Sequence, residues 1–485
     1  MRSYFLITFL CVLLFPKPLW SSSSQNYKQL TGVIDIRTTY SDGDFTAYEL
    51  VNMARAADID VLVITDHDLM RIQYGLFPFR NILRLRIDLP SVLKKGVEKY
   101  FTMLNELNRQ TNDVIIVPGV ESAPFYYWSG WPLPGKLTLN EWEKHLLVLG
   151  IEDPEKIKGL PVLHGTPGFN YIKKRLPESI LFSLPFLACL WLILYEKKRK
   201  WWSYTMLGLS FLLLLNYLPF SSSPFDPYHG NKGIKPYQEL IDYVNSCGGM
   251  SFWTHPETTT GVRDLGEIKV STLPHGEDLL KSTDYAGFAA LYGDRMKAPE
   301  SGKEWDITLK EYCLSIRERP PWGISSSDYH NEHPAPFGTY ITTFLVDTKN
   351  KDGVLNAIKA GRMYNYIGPK NGRLFLDCFE IEDTITNGKA IMGETITITH
   401  YPLIIIRAMS ENGQSPSDLH LKIIRSGIPC YEEKGEKIIN VSWIDHDIEP
   451  GRMYYYRIEI RGQGRMLSNP IFVRTTQRRL QNALR

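Results

Sequence analysis

Residues 61–68 read VLVITDHD, a short apolar run that ends in Asp66-His67-Asp68. A continuous aliphatic run of this length, stopped by ligand-type side chains, is the pattern of a fully buried parallel strand whose C-terminal end faces a site. The pattern recurs. VIIVPG (114–119) runs on to Glu121, MSFWTH (250–255) closes on His255-Pro256-Glu257, and WGISSS (322–327) is followed by Asp328-Tyr329-His330. HLLVLG (145–150) opens on His145, AGFAALYG (286–293) is a further apolar run, and Ser41-Asp42-Gly43 follows the first strand. Between them lie amphipathic stretches of helical spacing: TAYELVNMARAA (46–57), VLKKGVEKYFTMLNELNRQ (92–110), YQELIDYVNSC (237–247) and LKEYCLSIRER (309–319). Repeated strand–helix units predict an α/β barrel or a doubly wound parallel sheet.

Beyond Asn371 the rhythm changes. LFLDCFEIE, ETITITHY, LIIIRAMS, LHLKIIRSG, KIINVSWID, MYYYRIEIRG and PIFVRTT are closely spaced strands with turn residues such as Pro450-Gly451 between them. This predicts an all-β sandwich of roughly 100 residues. Cys378 and Cys430 within it would pair only in an oxidising compartment.

Three apolar runs interrupt the polar chain. Arg2 precedes YFLITFLCVLLF (4–15), followed by a serine run at 21–24, which fits an export signal or an uncleaved anchor. Ile180–Tyr195 and Trp201–Phe220 flank EKKRKWW and predict a transmembrane hairpin. Lys197, Lys198, Arg199 and Lys200 would stay cytoplasmic, which places both long flanks on the extracytoplasmic side. The expected organisation is therefore a signal or anchor at 1–24, a barrel at 25–175 and 223–370, a hairpin at 176–222 and a sandwich at 371–485.

Composition removes several classes. The chain has 485 residues, 43% of them hydrophobic and 22% charged, which is globular rather than disordered or coiled-coil. Lys+Arg 55 against Asp+Glu 53 gives a net charge of +2, so nucleic acid is not an expected partner. Six scattered cysteines without a CxxC exclude a zinc ribbon and a thioredoxin-like motif.

The strand ends carry the chemistry. His67, His145, His255 and His330, with Asp42, Glu121 and Asp328, recur where a barrel gathers side chains into one mouth. Imidazole and carboxylate together suit zinc, manganese or iron. The order SDG … TDH … GVE … H … HPE … SSDYH resembles the polymerase-and-histidinol-phosphatase (PHP) family of metal-dependent phosphoesterases, from Gly32 to about Gly361. Its late stretch PFGTYITTFLVDTKNKDGVLNAIKAGRMY is similar to the family's closing strand and helix. The ending YYYRIEIRGQGRMLSNPIFV resembles the C-terminal module of the CehA/McbA-like metallohydrolase branch.

The resemblance implies a distorted (β/α)7 barrel, here interrupted by the transmembrane hairpin, holding two or three divalent ions. It implies one metal site from Asp42, His67 and His330, another from Glu121, His145 and His255, and Asp328 as a bridging or completing ligand. Water activated by the ions would attack a phosphate ester, and the hairpin's place in the barrel suggests a membrane-proximal or lipid-linked one. The family begins its first strand with His-x-His, whereas this chain has Asp35-Ile36-Arg37. Asp35 can ligate a metal; Arg37 has no lone pair and stays charged. Arg37 either pairs with Asp35 and closes one metal site or grips a phosphate as part of the catalytic machinery together with Asp328. The competing expectation is a catalytically impaired PHP-like binding module.

Overall fold

The structure, a computed structural model, describes residues 27–132, 136–195, 201–257, 261–264, 266–292, 296–368, 373–386, 388–410 and 418–476. The expected signal or anchor at 1–24 and the cationic turn at 196–200, on which the membrane orientation rests, lie outside the described residues.

Seven strands close a barrel: β1 (Lys28–Ile36), β2 (Val61–Ile64), β3 (Ile115–Ser122), β4 (Leu146–Leu149), β5 (Met250–Trp253), β6 (Gly287–Leu291) and β7 (Trp322–Tyr329). They pair in chain order, and β1 pairs back onto β7. Their residues are almost all buried, because the barrel interior faces inward and helices cover the outside. Helices Ala47–Ala57, Val97–Gln110, Lys235–Ser246 and Glu304–Cys313 each bury one apolar stripe.

The fold departs from the expected (β/α)7 alternation. β4 runs antiparallel to both β3 and β5. The β3–β4 connection holds two short strands, Tyr127–Gly130 and Leu137–Asn140, where a regular unit would have a helix. The described residues form 25 strands against ten helices. A four-residue strand buried on both faces reads the same in either direction, so only pairing sets the polarity of HLLVLG.

The transmembrane hairpin is corrected as well. The two apolar runs form paired helices, Ile172–Tyr195 and Trp201–Asn216, with Phe182 stacked on Tyr217 and Phe186 near Phe211. Only the first is long and apolar enough to cross a membrane. The second has 16 residues, which is about 24 Å at 1.5 Å each and short of a hydrocarbon core of roughly 30 Å. It stops because Asn216 hydrogen-bonds Asn81 through both its side chain and its carbonyl, and Pro219 follows.

Past the barrel, β8 (Tyr340–Val346) pairs antiparallel with β1, and β9 (Met363–Ile367) with β8. β9 then pairs with Arg465–Ser468, so the barrel sheet runs without a break into the C-terminal module. A second sheet of Leu374–Asp383, Lys389–Ile391, Pro402–Ser410 and Ile438–Ile444 belongs to the same module. The module has its own core, including Ile381, Ile404, Ile406, Leu421, Ile458 and Val473. Cys378 and Cys430 are free thiols. The module is fastened to the barrel by a buried ion pair. Arg457 Nε and Nη2 each donate to Asp306 at 2.8 Å, and Tyr455 Oη donates to Asp306 Oδ1 at 2.8 Å.

Candidate metal centre

The mouth of the barrel is built from strand ends. β1 carries a bulge against β2, where Asp35 is the extra residue between Ile34 and Ile36; against β7 the register slips the other way, with Ser327 and Asp328 opposite Asp35 alone. Asp35 has φ 73°, and two further mouth residues, His255 (29°) and Asp328 (44°), also have positive φ. Non-glycine residues held there carry backbone strain of about 1–3 kcal/mol each, a feature that gathers at functional sites. The reversed β4 begins at the mouth, so His145 enters from a strand's N-terminal side and faces the same space as its partners.

Glu121 is the hub. It is fully buried, and its Oε2 lies 3.1 Å from His67 Nδ1 and 3.3 Å from His145 Nδ1. Its Oε1 lies 3.7 Å from His255 Nε2 and accepts a 3.2 Å hydrogen bond from Thr254 Oγ1. Asp42 Oδ2 is 3.3 Å from His330 Nε2 and 3.6 Å from His67 Nε2. Three groups bring their donor atoms within 4.8 Å of one another: Asp42, His67 and His330; His67, Glu121 and His145; Glu121, His255 and Asp328. Thus Asp42, His67 and His330 meet in the grouping the resemblance implied. Glu121, His145 and His255 do not form one group of their own; Glu121 joins His145 on one side and His255 on the other. Asp35 belongs to none of the three, because Arg37, Thr65 and Ser326 take up its oxygens.

The imidazoles are set for a cation. His145 Nε2 lies 3.1 Å from the Trp142 carbonyl and His330 Nδ1 2.8 Å from the Asp328 carbonyl. A carbonyl only accepts, so those nitrogens carry the hydrogen and the opposite nitrogens of neutral rings present lone pairs. These lone pairs face Glu121 and Asp42, and buried His145 Nδ1 and His255 Nδ1 have no hydrogen-bond partner. A lone pair facing a carboxylate needs a proton or a metal ion between them, and the donor set fits divalent ions.

Without metal the proton takes that place. Burial opposes charge on His330, but Asp42 and Asp328 outweigh it and push the ring up to about 9. His255 is raised in the same way by Glu121 and Asp328 against burial. Burial would lift Glu121, yet Arg37 and His145 hold it well below the ordinary carboxylate range. Asp42 is also lowered, its burial outweighed by His330 and His67.

Arg37 is fully buried beneath the mouth. Nη1 donates to Asp35 Oδ1 at 2.5 Å, to the Thr65 carbonyl at 2.8 Å and to Thr65 Oγ1 at 3.0 Å. Nη2 donates to Glu121 Oε2 and, at 3.3 Å, to Asp328 Oδ1.

Other residues named in the motifs have structural work. Asp66 receives Thr38 N, Ser41 N and both hydroxyls, which folds the loop that delivers Asp42. Glu257 turns away and receives the Lys297 and Ala298 amides. Two site residues escaped the sequence reading. Thr254 braces Glu121, and Tyr292 Oη donates to Asp328 Oδ2 at 3.2 Å. Tyr292 was findable, since it directly follows β6 and the strand-end rule applies to that strand as to the others.

No protein-family model and no curated protein matches the chain. Among solved structures, it is similar to a two-domain protein from Bacteroides vulgatus containing a predicted PHP-like metal-dependent phosphoesterase. The identity is 11% and the TM-score 0.35, over 92% of this chain and 100% of that one. It is also similar to a proposed metal-dependent phosphoesterase from Bifidobacterium adolescentis, at 15% identity and TM-score 0.29, over 63% of this chain and 90% of that one.

Proposed function

We propose that this chain is a metal-dependent hydrolase of phosphate esters. The observation that carries the reading is the pairing of imidazole lone pairs with carboxylates in one mouth: His145 with Glu121, and His330 with Asp42, each at 3.3 Å. The ordered motif set from Ser41 to His330 supports the phosphoester class by its resemblance. Divalent ions, when bound, activate water and neutralise phosphoryl oxygens. The chain's own groups do the positioning. The Trp142 and Asp328 carbonyls fix two ring orientations, Thr254 aims Glu121, and Tyr292 holds Asp328. Asp42, Asp328 and His330 retain the most exposure of the set and form the side open to substrate.

The test is hydrolysis of p-nitrophenyl phosphate and bis-p-nitrophenyl phosphate by the full chain, with metal content measured on the same sample. Turnover abolished by chelator, and both turnover and metal lost in His67→Ala/His255→Ala, is the expected result. Stoichiometric metal without turnover on any phosphoester would leave a ligand-binding barrel instead.

We further propose that the barrel works at a lipid surface on membrane-borne phosphodiesters. Support comes from the Ile172–Tyr195 helix, whose Ile180, Leu181, Leu184, Leu187 and Trp191 are all exposed. The hairpin of Arg71–Gly75 and Arg84–Asp88 adds exposed Leu83, Leu85 and Ile87 beside exposed Arg84 and Arg86, and Asn81 ties its tip to Asn216. Exposed apolar side chains clustered in this way mark an interaction site, and Arg84 suits anionic headgroups, whereas Arg86 is paired with Asp88. Co-sedimentation with phosphatidylglycerol vesicles, weakened in Leu83→Glu/Leu85→Glu/Ile87→Glu, is expected; equal recovery with and without vesicles would exclude it.

A further inference from the structure

We infer that Arg37 is a built-in cation standing where a further divalent ion would otherwise bind, so that the centre takes two ions and the arginine does not reach substrate. The inference rests on the metal-hydrolase reading and deepens it.

Three carboxylates, Asp35, Glu121 and Asp328, converge on the Arg37 guanidinium. Asp35 and Glu121 are fully buried, as is Arg37 itself. Carboxylates this close in a buried space repel unless a positive charge lies between them. The guanidinium supplies that charge permanently, since it does not deprotonate in proteins. It is held on every side. Asp35 and Thr65 occupy Nη1, Glu121 and Asp328 occupy Nη2, and Asp35 is fixed in turn by Ser326 Oγ at 2.6 Å. An arginine that grips a phosphate must present free N–H groups to it. Here both terminal nitrogens are engaged by the protein, and the unpaired Nε is buried.

Charge counting agrees. Asp35, Asp42, Glu121 and Asp328 contribute four negative charges and Arg37 one positive, leaving three negative. Two divalent ions bring the mouth to one positive charge, suited to a phosphate. A third would leave three positive charges in a partly buried site. A histidine in place of Arg37 would remove the fixed charge and add a lone pair among the same three carboxylates.

The experiment is metal stoichiometry by elemental analysis after loading with manganese or zinc, with melting temperature in chelator measured in parallel. Wild type and Arg37→Lys should each bind two ions per chain. Arg37→His should bind three, and in chelator it should melt well below wild type, because the carboxylates then lack their counter-charge. Three ions in wild type or in Arg37→Lys overturns the inference, as does an Arg37→His variant that is folded and still binds two. Wild type that binds no ion refutes the metal-hydrolase reading itself and this inference with it.

Discussion

Replacing Glu121 by glutamine tests whether one carboxylate organises the whole mouth. The change keeps the side chain's shape and removes one charge from a residue that faces Arg37, His67, His145, His255 and Thr254. In chelator the cost should stay below the roughly 3–5 kcal/mol of an uncompensated buried-pair rupture, because Arg37 keeps Asp35 and Asp328. With metal the difference is larger. An ion present at about 100 times its dissociation constant stabilises a folded protein by about 2.7 kcal/mol. At roughly 2–4 °C per kcal/mol, each bound manganese ion should raise the melting temperature of wild type by about 5–11 °C over that in chelator. In Glu121→Gln the shift should fall to about that of one ion, since Glu121 belongs to two of the three donor groups and only Asp42, His67 and His330 form a group without it. Differential scanning fluorimetry with and without metal is the assay. A metal-induced shift in Glu121→Gln equal to wild type would refute the reasoning, because the centre would then not depend on its hub.

Other expectations follow from the same geometry. In the metal-free protein His330 sits at about 9, above an unfolded value near 6.5. Its pairing with Asp42 therefore stabilises fully below about pH 6.5 and is lost as pH rises through about 9; chelated protein should lose melting temperature over that window, and metal binding within it should release protons measurable by calorimetry in buffers of different ionisation heat. Asp306→Ala leaves buried Arg457 without its carboxylate and should cost about 3–5 kcal/mol in urea unfolding, while Asp306→Leu/Arg457→Met should recover most of it; equal losses in both would contradict the pairing account. Tyr292→Phe removes one hydrogen bond to Asp328 and should cost about 1 kcal/mol, lowering kcat with metal content unchanged; loss of bound metal would make Tyr292 part of the ligand scaffold instead.

Much of the mouth was legible because chemistry and position coincide along the chain. TDH, GVE, HPE and SSDYH each place a ligand-type residue at a strand end, and those ends converge. The direction of HLLVLG was not legible, since a short strand buried on both faces has no sequence signature of polarity. The second apolar run illustrates a different limit. Composition alone extended it to Phe220, yet the helix ends at Asn216, where a polar partner on a distant hairpin captures its last turn. Asp66 stands next to His67 in the motif, but its four hydrogen bonds serve the loop before Asp42, which no spacing rule foretells.

By itself the sequence determined the inventory: short buried strands, amphipathic helices, a later run of closely spaced strands, and histidines and carboxylates in a fixed order. These are consequences of local periodicity and residue chemistry, which each segment carries wherever it folds. Tertiary structure alone decided how the inventory is used. Closure of β1 onto β7 brought Asp328 and His330 beside Asp42, nearly 300 residues apart in the chain. The bulge at Asp35 and the burial of Arg37 among Asp35, Glu121 and Asp328 turned an apparent motif defect into a counter-charge. Such pairings depend on long-range register and on the removal of water around the charges, and neither is written in any local stretch of residues.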